Sequence, residues 1–127
     1  MKRLIALLSA VALCLMLGGC SLATRYGDGV PDVLGVKIIT MPDNSMEPTF
    51  DVGETITCRE VDPAELEKGD IIAFWTVIDG ERTALAHRIC EIYNGGGYLM
   101  FQTKGDNAPQ ADALTVHESE IIGKCLW

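Results

Sequence analysis

The sequence predicts an all-β domain built from hairpins, as two packed antiparallel sheets or a partly open barrel. Three observations carry that prediction. After the first 32 residues the chain divides into short segments rich in Val, Ile, Thr and aromatic residues. Turn-forming residues bound each segment. Only "DPAELEKG" has helix-like ends, and it is too short for more than a turn or two.

Strands are expected near Val33 to Thr40, Glu54 to Val61, Asp70 to Ile78, Thr83 to Tyr93, Tyr98 to Thr103 and Glu120 to Leu126. Asp79-Gly80 is a tight hairpin turn and Asn94 to Gly97, "NGGG", a looser one. In "DPAELEKG", Asp62 is the N-cap, Pro63 sits in the first turn and Gly69 stops the turn. "TRYGDGVPD" reads as a linker from its Gly, Pro and Asp content. The chain therefore divides into an N-terminal signal or anchor segment (1–23), a linker (24–32) and one folded domain (33–127). A chain of 127 residues has room for one such domain and one modest core.

The formal net charge is −8, and without Lys2 and Arg3 the remainder carries −10. Such a surface repels phosphate backbones, so no nucleic-acid partner is expected. The N-terminus says more. Lys2 and Arg3 precede an uncharged run from Leu4 to Ala23, which places the rest of the chain outside the cytoplasm. Its strongly apolar part, Leu4 to Leu17, has the length of a signal-peptide core rather than a full span. "LGGC" resembles the lipobox of bacterial lipoproteins, with Cys20 as the residue that receives lipid. Lipid attachment at Cys20 ranks first, an uncleaved transmembrane anchor second, and release by cleavage after Ala23 third. Cys58, Cys90 and Cys125 remain, with no CxxC pair, so a zinc site is not expected. One disulfide among these three fits a location outside the cytoplasm, and so do three small buried residues.

Candidate chemistry rests on few residues. Ser45 stands in "DNSMEPTF", where Pro48 forces the chain out of regular pairing. His87 stands in "TALAHRICEI", and strand alternation puts it on one face with Leu85 and Ile89, with Arg88 on the other. His117 lies among polar residues and is expected to be exposed. "TKGDNAPQAD" carries Asp106 and Asp112. A serine hydroxyl attacks poorly until a base takes its proton, and a carboxylate fixes the tautomer of that base. Ser45, His87 and a downstream aspartate supply those three types, although turn chemistry accounts separately for the serine and the aspartates, and a hydrogen-bonded core position for His87.

"SMEPTF", "KGDIIAFW", "AHRICEI" and "TKGDNAPQAD" resemble, in order and spacing, the motif boxes of type I signal peptidases, from about Val33 to Gly123. Self-cleaving repressor peptidases share a similar first box, but nothing before Ser45 fits their DNA-binding domain. The third box has histidine at the base position, as in the endoplasmic-reticulum-type branch, rather than lysine. The resemblance implies a signal-peptidase-like β fold and a membrane-associated serine endopeptidase that removes signal peptides from secretory precursors. It would work at the extracytoplasmic face of a bacterial plasma membrane. Ser45 would be the nucleophile, His87 the base and Asp112 the orienting carboxylate, with Asp106 holding the loop or serving as a second acidic partner. The substrate would lie extended near Thr40, Asp43, Asn44, Thr83 and Leu85. No metal or organic cofactor is implied. The chain departs from the pattern at Asp43, where many members of this branch have a serine whose hydroxyl helps hold the oxyanion. That departure supports an alternative, a catalytically weak or silent signal-peptidase-like lipoprotein acting as a binding module.

Overall fold

The computed structural model describes residues 25–27 and 30–126. The expected N-terminal anchor and Cys20 lie outside the described residues.

Two short strands open the described chain, β1 (Arg25–Gly27) and β2 (Val30–Val33). They occupy the stretch read as a linker from its turn-forming residues. The single strand expected from Val33 begins instead after a tight turn. Leu34 and Gly35 both have positive φ, at 53° and 81°, and the turn returns the chain into β3 (Val36–Thr40). A leucine signals no such turn. Asp32 helps to close it by accepting the Gly35 N–H at 2.9 Å.

After a loop, β4 (Thr55–Arg59) pairs back on β3, burying Ile56 and Cys58 in alternation. "DPAELEKG" forms one 3-10 turn (Pro63–Glu65), with Asp62 accepting the Ala64 N–H at 3.0 Å as the expected N-cap. Gly69, at φ +93°, ends the segment. β5 (Ile71–Ile78) and β6 (Glu81–Asn94) form the hairpin across Asp79-Gly80, whose φ values of 51° and 80° suit a tight turn of the primed type. β7 (Leu99–Lys104) returns along the second half of β6. β8 (Val116–His117) leads into a second 3-10 turn (Glu118–Glu120), and β9 (Ile121–Leu126) completes the described chain.

The nine strands form one antiparallel sheet in the order β1-β2-β3-β4-β9-β5-β6-β7-β8. The fold is all-β, as expected, and takes the partly open form rather than two separate sheets. β3 and β6 touch although β4, β9 and β5 lie between them in the sheet, so the sheet curls. Inside the curl lie Ile39, Ile56, Ile72, Phe74, Ile89 and Phe101. β5 is buried from Ile71 through Phe74, which accounts for the unbroken apolar run at its start.

Two features of β6 position the site. Its first half pairs with β5 from Glu81 to Arg88, and its second half pairs with β7 from Arg88 to Asn94. Among the described residues, the edge of Glu81–His87 away from β5 therefore has no strand on it. A register shift between Ile89 and Glu91 marks the change of partner.

Candidate active site

Ser45 stands in the loop between β3 and β4. Two apolar residues of that loop are core anchors: Met46 is fully buried and Phe50 nearly so. The Phe50 N–H donates to the Met46 carbonyl at 2.9 Å and the Glu47 N–H to the Asn44 carbonyl at 3.2 Å, which winds the loop into a tight coil. Ser45 is thus held at the rim because its neighbour plugs the core beneath it.

A second loop clamps the first. The Asn107 N–H donates to the Ser45 carbonyl at 2.9 Å, and Asn107 Nδ2 donates to the Asn44 carbonyl at 3.1 Å. Gly105 is required at this contact, since a Cβ there would fall 2.5 Å from the Ser45 carbonyl oxygen. The Asp106 N–H donates to Met46 Sδ at 3.3 Å.

His87 is buried, with 6% of its surface exposed, and its ring meets Phe74 edge-on. Its Nε2 lies 2.8 Å from Ser45 Oγ, and its Nδ1 lies 2.6 Å from Asp112 Oδ2. An ionised carboxylate only accepts, so Nδ1 carries the proton and, in the neutral ring, Nε2 presents its lone pair to Ser45. Asp112 also accepts from Thr103 Oγ1 at 2.6 Å, and its own N–H donates to the Thr103 carbonyl at 2.8 Å. Burial pushes the Asp112 carboxyl up, but hydrogen bonds from His87 and Thr103 and the charge of His87 outweigh it and hold the group below its ordinary range.

The other aspartate goes elsewhere. Asp106 accepts from Arg88 Nε and Nη2, each at 2.9 Å, and from Thr49 Oγ1 at 2.6 Å. Arg88 also donates from Nη1 to the Gly69 carbonyl at 2.8 Å. The Arg88 bonds, with the Thr49 hydroxyl and the charges of Arg88 and Lys104, hold the Asp106 carboxyl below its usual range against burial; the Arg88 pKa is raised in turn. Asp106 therefore ties the Ser45 loop to β6, while Asp112 meets the imidazole.

Asp43 bears directly on Ser45. Its Oδ1 accepts the Ser45 N–H at 3.1 Å and lies 2.5 Å from Ser45 Oγ. The single hydroxyl proton of Ser45 therefore has two acceptors within reach, Asp43 Oδ1 and His87 Nε2. The carboxylate does not turn away.

An open groove of about 630 Å³ beside His87 is lined by Phe74, Leu85, His87, Asp112, Leu114 and Val116 among others. Leu85 lies in its wall, and Asp43 reaches its rim. Thr40 is exposed at the end of β3, next to Ile38 and Ile39, and among the described residues this stretch pairs with β4 alone. Thr83, on the unpaired edge of β6, donates from Oγ1 to the Glu81 carbonyl at 3.1 Å. The Asn44 carbonyl is taken by Asn107. His117 is half-buried rather than exposed, because its ring stacks on Tyr98 at 5.0 Å and its Nδ1 accepts the Ser119 N–H at 3.0 Å.

Sequence reading missed Thr103, Thr49 and Arg88 as parts of this arrangement. All three lie inside the quoted boxes, but nothing local marks a threonine as the partner of a distant carboxylate.

No family model matches the chain. Over 101 residues it is 39% identical to Signal peptidase I W of Bacillus subtilis (strain 168). The likeness is to a signal peptidase. The aligned part is 79% of this chain, and the chain spans about half of that relative, 52% of its length. Among the described residues, no helix is long and apolar enough to cross a membrane.

Proposed function

We propose that this chain is a serine endopeptidase of the type I signal peptidase family, in its Ser-His branch. It would cleave signal peptides from secretory precursors while tethered at the extracytoplasmic face of the membrane. The observation that carries the reading is the hydrogen-bonded line Ser45–His87–Asp112, at 2.8 and 2.6 Å, in a chain similar to a signal peptidase.

In this reading Ser45 Oγ attacks the scissile carbonyl carbon as its proton passes to His87 Nε2. The imidazolium that forms keeps its Nδ1 proton toward Asp112, whose charge stabilises it and whose bond to Thr103 keeps the carboxylate aimed. The negative charge developing on the carbonyl oxygen needs a donor, and the Ser45 N–H is the one beside the nucleophile. His87 then gives its proton to the leaving amine, an acyl-enzyme remains on Ser45, and water is activated by the same imidazole to release it. The precursor would enter as an extended strand against the unpaired edges of Ile38–Thr40 and Thr83–Ala86, because extended peptides add to open sheet edges through main-chain hydrogen bonds. Phe74 and Leu85 in the groove wall would receive its apolar side chains.

A second reading has one specific observation behind it. The carboxylate of Asp43 occupies the Ser45 N–H, which favours a silent, signal-peptidase-like binding module. The deciding experiment compares the chain and its Ser45→Ala variant on a purified precursor. The peptidase reading expects cleavage that falls by on the order of 10⁶-fold in the variant. Absence of cleavage by the unaltered chain, with the precursor still bound, selects the binding module.

A further inference from the structure

Cys58 in β4 and Cys125 in β9 are direct cross-strand partners, and their Sγ atoms stand 3.6 Å apart in a buried position. Cys90 is engaged elsewhere, donating from Sγ to the Gln102 carbonyl at 3.3 Å. Direct partners across an antiparallel ladder have Cα atoms about 4.5–5.5 Å apart. A disulfide spans about 4.4–6.8 Å between Cα atoms, so side-chain rotation alone closes this pair.

We propose that Cys58 and Cys125 form a structural disulfide once the domain lies outside the cytoplasm, a location that rests on the function proposed above. Its place in the sheet gives it a purpose. The β4–β9 ladder is only three residue pairs long, Thr57 with Leu126, Cys58 with Cys125, and Arg59 with Lys124. Among the described residues it is the one ladder that joins β1–β4 to the other five strands. Ser45 follows β3 on one side of this seam; His87, Thr103 and Asp112 lie on the other. β9 also approaches β4 closely, since a Cβ at Gly123 would fall 2.6 Å from the Arg59 carbonyl oxygen. A covalent link at the centre of the seam holds the nucleophile's half of the sheet in register with the base's half.

The chemistry balances as thiol–disulfide exchange. Two cysteine thiols lose two protons and two electrons to become one disulfide, and the disulfide of a thiol oxidant takes those electrons and protons to become two thiols. The thiolate is the attacking form, and the hydrogen bond that the Cys125 thiol makes to Cys58, together with burial, pushes that thiol well up. Exchange is therefore slow once β9 is docked and belongs to folding, while the strand is still open to the oxidant.

The test folds the full chain in detergent with oxidised and reduced glutathione, then denatures it in N-ethylmaleimide for peptide mapping by mass spectrometry. The expected result is a Cys58 peptide linked to a Cys125 peptide, with Cys90 alkylated and the same link in Cys90→Ala. Alkylated Cys58 and Cys125, or a link from either to another cysteine, overturns the proposal. Reductant should lower the Tm of the linked protein by several degrees in both the unaltered chain and Cys90→Ala. A linked protein whose Tm is indifferent to reductant overturns the stapling role. Mapping needs no peptidase activity. An unlinked pair in an active peptidase sinks the disulfide alone, and a linked pair in a chain that cleaves no precursor sinks the peptidase reading alone.

Discussion

The two ends of the loop from Gly105 to Asp112 each carry an aspartate, and the structure spends them differently. Asp106 meets a permanent cation, Arg88, through two 2.9 Å bonds and takes a third from Thr49. Asp112 meets a titratable ring, His87, and a hydroxyl, Thr103. Both carboxyls are held below their ordinary range. A depressed pKa therefore does not separate a carboxylate that clamps a loop from one that faces a titratable ring. The partner does: a guanidinium that never gives up its proton makes a fixed clamp, whereas an imidazole can carry one through a reaction.

Asp112→Asn should produce the largest contrast. An amide can donate to Nδ1 and so favour the wrong tautomer, and the expected loss in kcat is about 10⁴-fold with the fold retained. Steady-state kinetics beside a thermal melt measure both. A loss no larger than that of Asp106→Asn would erase the distinction between the two ends of the loop.

A third carboxylate sharpens the comparison. Asp43 takes the Ser45 N–H and competes with His87 for the hydroxyl proton. Asp43→Ser removes the charge and offers a donor, so kcat should rise, by up to the 10²–10³ that one oxyanion donor is typically worth. Turnover that stays level or drops on a single precursor peptide would mean that Asp43 does not hinder the oxyanion.

Thr103→Val keeps the shape of a fully buried side chain but removes one of the two donors on Asp112 Oδ2. About a tenfold fall in kcat is expected, with KM unchanged, since a hydrogen bond to a charged group is worth about 1.5–3 kcal/mol and only part of that concerns orientation. A change confined to KM would place Thr103 with substrate binding instead.

The smallest effect on turnover belongs to Asp106→Asn, whose cost should appear in stability and its pH dependence. The folded Asp106 carboxyl is depressed, so its contribution is present above the ordinary carboxylate range and is lost as pH falls through the depressed folded value. The melting temperature of the unaltered protein should therefore drop on acidification below about pH 4, and Asp106→Asn should drop less steeply while starting lower. Parallel pH profiles would show that Arg88 and Thr49 gain nothing from the charge.

Much of the scaffold was legible in the residues because its signals are local. Asp79-Gly80, the glycines after Asn94 and the Asp62-Pro63 pair each dictate backbone within a few positions, and the structure has a turn at all three. The Leu34-Gly35 turn was not legible, because a leucine at positive φ is imposed by the pairing of β2 with β3 rather than by its own preference. His117 was misread for a related reason. Its polar neighbours in sequence say nothing of Tyr98, which comes to it from the turn before β7.

By itself, then, the sequence determined that the chain is all-β, where most of its strands lie, and which residue types are available for chemistry. Those follow from period-two patterning, turn propensity and side-chain identity, none of which reaches beyond neighbouring residues. The motif boxes implied the set Ser45, His87 and Asp112 by resemblance only; tertiary structure brings Ser45 to a histidine 42 positions away, and that histidine to Asp112, 25 positions further on, rather than to Asp106. It also decided that Cys58 faces Cys125 across 67 positions and that Asp43 folds onto the Ser45 N–H. The physical reason is range. A hydrogen bond acts over about 3 Å, and only the curl of the sheet and the clamp between two loops bring distant residues within that distance.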